Sequence, residues 1–348
     1  MMVRQLFGRP TILLICAGLL LFGCQDDRPE SDRPESDRPE SEGAGELESA
    51  PGKTAETTSA VASDVEATSL LGQELPRPVL DPAFATEQEG LLAQARVDLE
   101  ADPEDPLHWI WVGRRTAYLG RYREAIDIYS RALERHPEEP RLYRHRGHRF
   151  ITVRQFDEAI EDLERAAELL SDRAPEVEPD GLPNALGRPT GTTHSSTWYH
   201  LGLAHYLQGD YAKARGIYEE CLSYSGNPDM LVATSYWLYW TLLHLGEDGE
   251  AARLLEPIEE GLELIENEDY FRLLRLARTG EGVEALQTGS GDLSAATVAY
   301  GVGSWYLHRG EEDQALDIYR QLLEAPSWSA FGYLAAEAEI ARRSQPSG

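Results

Sequence analysis

Lysine is almost missing from this 348-residue chain: it stands only at Lys53 and Lys213, and arginine supplies the other thirty of the 32 positive side chains. Positive charge of any kind is scarce against 61 acidic residues, and a net of −29 excludes the broad basic footprint that nucleic acid or anionic lipid demands. Cysteine is scarce too. Cys16, Cys24 and Cys221 are too few to staple a fold and lack the CxxC or Cys/His spacing of a zinc site. Cys221 reads as a small buried hydrophobe. No apolar run reaches the roughly 20 residues a membrane-spanning helix needs. The longest, TILLICAGLLLF from Thr11 to Phe22, would rise only about 18 Å as a helix. A Gly-rich phosphate loop, a nucleophile elbow and HExxH are all absent, which leaves no motif for catalysis.

What is present begins at the N-terminus. Arg4 and Arg9 beside the short apolar stretch have the form of a secretory signal peptide. Leu21-Phe22-Gly23-Cys24 resembles the lipobox of bacterial lipoproteins. That resemblance implies cleavage before Cys24, a diacylglyceryl group on it and, with Gln25 following, transfer to the outer membrane of a two-membrane bacterium. Each buried acyl methylene contributes about 0.8 kcal/mol, so two or three chains anchor stably. Residues 1–23 are therefore expected as a lipoprotein signal peptide. Residues 24–82 are expected as the lipidated cysteine and an acidic tether. Residues 25–75 open with a repeated Asp-Arg-Pro-Glu-Ser, hold fourteen acidic against four basic residues and contain no aromatic. Such a segment buries too little apolar surface to offset its ordering entropy and is expected to be disordered, with a reach on the order of 40 Å.

Beyond Leu80 helical periodicity takes over, and it repeats. From HWIWVGRRTAYLGRYREAIDIYSRALERHP, residues 108–137, a step of 34 carries Trp109 to Tyr143, Gly113 to Gly147, Ala125 to Ala159 and Ala132 to Ala166. The spacing returns at Trp198, Gly202, Gly209, Tyr211, Ala214 and Tyr218, more loosely at Gly246, Ala251 and Leu255, and again at Gly303, Tyr306, Gly310, Ala315 and Tyr319. Small residues at fixed intervals let two antiparallel helices approach, as with Gly113 opposite Ala125, while large ones fill the wedge between pairs. This constellation resembles the tetratricopeptide repeat. The expected fold is all-α: a right-handed α-solenoid of about five helix pairs over residues 83–345, with capping helices at both ends. The repeats are placed near 106–139, 140–173, 195–228, 230–265 and 294–327. A Pro- and Gly-rich insertion at 172–194 and a helical one near 262–278 interrupt the series. The stretches STWYHLGLAHYLQGDYAKA, TSYWLYWTLLHLGEDGEAARLL, TVAYGVGSWYLHRG and AFGYLAAEAEIAR are similar to a group of bacterial repeat proteins, a likeness that supplies architecture and no chemistry.

The family resemblance implies a concave face lined by fixed positions of each first helix. Carried over, these are Arg114, Tyr118, Arg141, Arg144 and His148 in the first two repeats, then Tyr199, Tyr206, Tyr236, Trp240, His244, Tyr300 and His308. Residues 105–155 hold eleven arginines against six acids, a basic patch in an acidic body that would focus field on an anion. The expectation is a membrane-anchored scaffold that binds a protein or an extended peptide, anionic at one end and lying over tyrosines further along. Two alternatives stay open: a small-molecule or glycan binder with the 172–194 insertion folded over the groove, and an enzyme using His244, His308 and nearby tyrosines. Solvated pairs such as Arg123 with Asp127 account for arginines equally well, and the tyrosines also suit packing within repeats. His145 with His148 and His200 with His205 lack a third ligand, so neither metal nor cofactor is expected.

Overall fold

The computed structural model describes residues 64–286 and 292–344. The expected signal peptide, the lipidated Cys24 and the tether as far as residue 63 lie outside them. β1 (Val65–Thr68) and β2 (Glu74–Pro76) pair antiparallel. Helices follow in chain order: α1 (Pro82–Ala101), α2 (Pro106–Tyr118), α3 (Tyr122–Arg135), α4 (Pro140–Thr152), α5 (Phe156–Leu170), α6 (Thr193–Gln208), α7 (Tyr211–Ser223), α8 (Pro228–His244), α9 (Asp248–Leu254), α10 (Glu268–Thr279), α11 (Val283–Leu286), α12 (Asp292–His308), α13 (Glu312–Leu323) and α14 (Phe331–Ser344).

The chain starts its helices by simple rules. Asp105, Glu139 and Asn227 each accept a hydrogen bond from a backbone N–H of the first turn and are each followed by proline at the first helical position. Thr192 and Ser195 form a reciprocal capping box at α6. Each first helix turns into its second through one residue with positive φ. Glycine fills that place at Gly120, Gly209, Gly246 and Gly310, but the second pair uses Arg154 at φ 66°. A left-handed non-glycine residue costs on the order of 1 kcal/mol or more, and its surroundings must hold it there.

Neighbouring helices pack in sequence order to build an all-α solenoid. At the crossings the glycines lie close against a large residue of the second helix. A Cβ on Gly202 would stand 2.6 Å from Tyr218, and one on Gly147 2.8 Å from Leu163; Gly113 faces Tyr129 and Gly303 faces Tyr319 in the same way. The Ala159 backbone also lies 3.3 Å from the Gly147 position, and Ala125 and Ala132 are fully buried. The fourth pair departs from the series. α9 has only 7 residues, and the inserted α10 packs against both α8 and α12.

Two further corrections concern the ends. The expected tether runs to residue 82, yet residues 64–76 form the hairpin, with Glu66, Ala67 and Leu75 buried. Composition hid this, because the ligands for these residues lie far along the chain. The Arg123 backbone N–H donates to Glu66 (3.0 Å), and the Leu70 N–H donates to Glu337 (2.5 Å). At the other end α14 does more than cap α13, because it also touches α6. Arg154 pairs with Glu337 at 2.7 Å, both side chains almost wholly buried, and donates to the Trp328 carbonyl at 2.9 Å. Trp328 in turn donates to the Pro76 carbonyl (2.9 Å) and stands edge-on to Tyr122 at 5.4 Å. The last helix is thereby latched to the first two repeats, and these bonds hold Arg154 in its left-handed turn.

Candidate functional site: the inner face of the repeats

The inner face divides by chemistry. On α2 and α4 it is cationic. Arg114 of α2 and Arg144 and Arg149 of α4 lie within electrostatic reach of Tyr129 on α3, and Arg149 also of Tyr118 and Tyr122. Residues 174–192, within the insertion expected at 172–194, cross this surface as an extended strap pinned by the Val177–Thr192 bridge. Glu178 is buried and ion-paired with Arg144, and lies 3.8 Å from His145. Arg114 donates to the Pro179 carbonyl at 2.7 Å, and Arg115 to the Gly181 carbonyl at 2.8 Å. Gly181 lies so close to Tyr118 that a Cβ would overlap the hydroxyl.

Electrostatics in this half are unbalanced. Burial alone would raise the Glu178 carboxyl, yet the Arg144 guanidinium outweighs it and holds the group below its ordinary value. Arg149 has no carboxylate partner among the described residues; its guanidinium lies 5.5 Å over the Tyr122 ring, and burial lowers its pKa. Arg144 Nε is buried without a hydrogen-bond partner among the described residues. The histidines are held neutral. Burial and Arg144 bring His200 down to about 3, and burial puts His145 and His148 well below their usual range. His145 stacks on Tyr129 while His148 meets His200 and Phe331, so the two do not converge on a common point. Arg141 stands apart: both its bonds go to the helix-capping Glu139, at 2.6 and 3.1 Å.

On α6, α8 and α12 the inner face is aromatic and closed. Tyr206, Tyr236, Trp240 and Tyr300 are at most 2 % exposed and Tyr199 9 %. The sequence placed these on an open wall; the structure buries them under α10 and α14. Tyr206 and Tyr300 share a 2.5 Å hydroxyl contact, Trp237 donates to Tyr199 at 2.7 Å, and Tyr270 of α10 lies 4.5 Å from Tyr236. Trp240 stacks on His308, and His244 stacks on Tyr211 and approaches Glu339 of α14 at 3.3 Å. Burial overrides that carboxylate and lowers His244 to about 4; burial also lowers His308. Glu339 gathers Tyr211, Arg342 and Arg343 as well, which hold it ionised against the cost of burial.

Sequence reasoning therefore found the arginines and missed what faces them. Glu178, Gly181 and Arg149 were not singled out, nor were Tyr270, Phe331, Glu337 and Glu339. The available signal was an acidic, Pro- and Gly-rich insertion one helix after the most arginine-rich stretch. For α14, two glutamates among alanines in AAEAEIARR gave no such hint.

Sequence profiles described as tetratricopeptide repeat match residues 113–176 and 195–228. Among characterised proteins, BBSome complex member BBS4 of Bos taurus is 26 % identical over 131 residues, 38 % of this chain and 21 % of that protein, and the Mus musculus protein is 25 % identical over 128 residues. The match spans about a fifth of the length of those relatives. Solved structures with similar helix stacking include YrrB, described as a TPR protein with an unusual peptide-binding site (13 % identity, TM-score 0.39, 72 % of this chain and 97 % of that one). PilW, described as a widely conserved type IV pilus biogenesis factor, is 17 % identical with TM-score 0.40 over 70 % of this chain and 90 % of its own.

Proposed function

We infer that this chain, a tetratricopeptide-repeat protein, acts by holding a partner protein, with the arginine-bearing inner face of α2 and α4 as the contact. The observation that carries the reading is the strap. An extended, acidic, proline-containing segment already lies on this face, bonded through one carboxylate and two backbone carbonyls. Those are the groups any extended peptide presents, and arginine is suited to both. The aromatic positions further along act in this reading as packing that sets the curvature of the wall. The lipobox resemblance adds a location: Cys24 anchors the body to the outer membrane on its tether. No described helix is long and apolar enough to cross a membrane.

Crosslinking in the native envelope tests this reading. The full chain is expected to come away with a discrete protein, and Arg114→Glu with Arg144→Glu to reduce capture at least tenfold while melting remains cooperative. Cys24→Ser is expected to move the protein out of the membrane fraction. Capture indifferent to both arginines would overturn the contact surface. A second reading, a small-molecule or glycan binder, draws on the same strap as a cover over the arginines. It becomes the better one if cell-wall fragments or sugars, and not peptides, change the tryptophan fluorescence.

A further inference from the structure

The strap is an odd piece of structure if its task is to build the fold. Its apolar side chains face water: Val177 is 66 % exposed, Leu182 50 % and Leu186 60 %. What it places against the repeats is polar. The Glu178 carboxylate meets Arg144, the Pro179 carbonyl meets Arg114, the Gly181 carbonyl meets Arg115, and the bare Cα of Gly181 fits against Tyr118. A loop recruited for stability would bury its leucines and expose its acids. The fit is also incomplete on the side of the repeats. Arg149 keeps a cation that no carboxylate answers among the described residues, and Arg144 Nε finds no acceptor there.

We propose that residues 178–181, Glu-Pro-Asp-Gly, are a tethered copy of the segment this surface recognises in its partner, and that the partner's segment exchanges with the strap. The proposal rests on the scaffold reading and adds the partner's chemistry. The recognised segment is an extended acidic peptide with a glutamate that enters the arginine cluster, followed by proline and, three positions after the glutamate, glycine. The glycine is required because Tyr118 leaves no room for a side chain. A partner with a second carboxylate in reach of Arg149 would satisfy a charge that the strap leaves unanswered, which gives exchange its direction. Tethering sets the threshold. An attached ligand acts at an effective concentration of about millimolar, so an identical free peptide competes poorly with the intact strap and well with a weakened one.

The probe is a fluorescein-labelled peptide of residues 174–183, APEVEPDGLP, titrated by anisotropy into the full-length native protein and into full-length Glu178→Ala. The variant is expected to bind at least tenfold tighter than the native protein, and its binding to weaken with added salt. Carrying Glu178→Gln or Gly181→Ala in the peptide is expected to lose about tenfold in each case. Should Glu178→Ala not fold, judged by circular dichroism and melting, hydrogen exchange on the native protein replaces it. The Glu178 and Thr193 amides, bonded to Gly191 and Glu176 carbonyls, are expected to exchange faster when unlabelled peptide is in excess. A folded variant that does not bind at millimolar peptide overturns the proposal. So does equal binding to both proteins, indifference to either peptide substitution, or unchanged exchange. If the peptide binds but crosslinking yields no protein, the scaffold reading fails alone; if a partner is captured through Arg144 but the peptide does not bind, only the tethered copy fails.

Discussion

The first two repeats and the last three share one backbone plan and treat their inner walls in opposite ways. Where the wall carries arginines, the chain covers it with a thin polar strap and keeps counter-charges within reach. Where it carries tyrosine and tryptophan, whole helices, α10 and α14, close over it. Desolvation explains the contrast. An aromatic ring gains free energy when water is removed from it, so a second helix can settle there permanently. A guanidinium loses solvation, and a cover is tolerated only where it returns hydrogen bonds and charge. The same repeat geometry thus yields a sealed core at one end and a surface with an exchangeable cover at the other.

Two buried Arg–Glu pairs put that difference to the test. Arg154–Glu337 joins repeat two to α14, and neither side chain is more than 3 % exposed. Glu337→Ala leaves a cation with no route to water and is expected to cost about 3–5 kcal/mol, read as a large fall in the denaturation midpoint. Arg144–Glu178 is chemically the same pair, but the strap can lift and let water in. Glu178→Gln is therefore expected to cost about 1 kcal/mol or less, with the change confined to exchange rates in residues 174–192. Equal costs at the two sites would erase the distinction.

Between these extremes lies acid. His200 in the arginine half and His244 in the aromatic half are held near 3 and 4, whereas the unfolded chain protonates its histidines near 6.5. Because the unfolded state binds more protons in the intervening range, stability is full above about pH 6.5 and declines as pH falls toward the folded values. From pH 6.5 to 5 each histidine is expected to remove roughly 2 kcal/mol. Thermal melts across that range check the slope. His244→Gln is expected to flatten it by about half the sum of the two, and an unchanged slope would show that His244 is charged in the fold.

How much of this was legible beforehand follows from the range of each interaction. Gly113, Gly147, Gly202 and Gly303 and the large residues sixteen positions later announced the helix pairs, because both partners lie within one repeat. The turn residue Arg154 read as a lapse in the glycine pattern, and its reason sits 183 residues away in Glu337. Of the arginines expected on one wall, Arg114 and Arg144 both meet the strap while Arg141 turns to Glu139, and the tyrosines expected on an open wall are buried. What the sequence could not convey was which of them would meet water.

The sequence by itself determined the elements and their pairing. Capping residues and prolines start the helices, and small residues set the crossings. Only the tertiary structure decided the fate of the inner wall. Curvature accumulated over the stack brings α14 against the second repeat and lays the strap over the first, and contacts of that span leave no periodic trace in the chain. The physical reason is that helix pairing is a local choice between neighbours, whereas covering a concave face depends on where distant segments arrive.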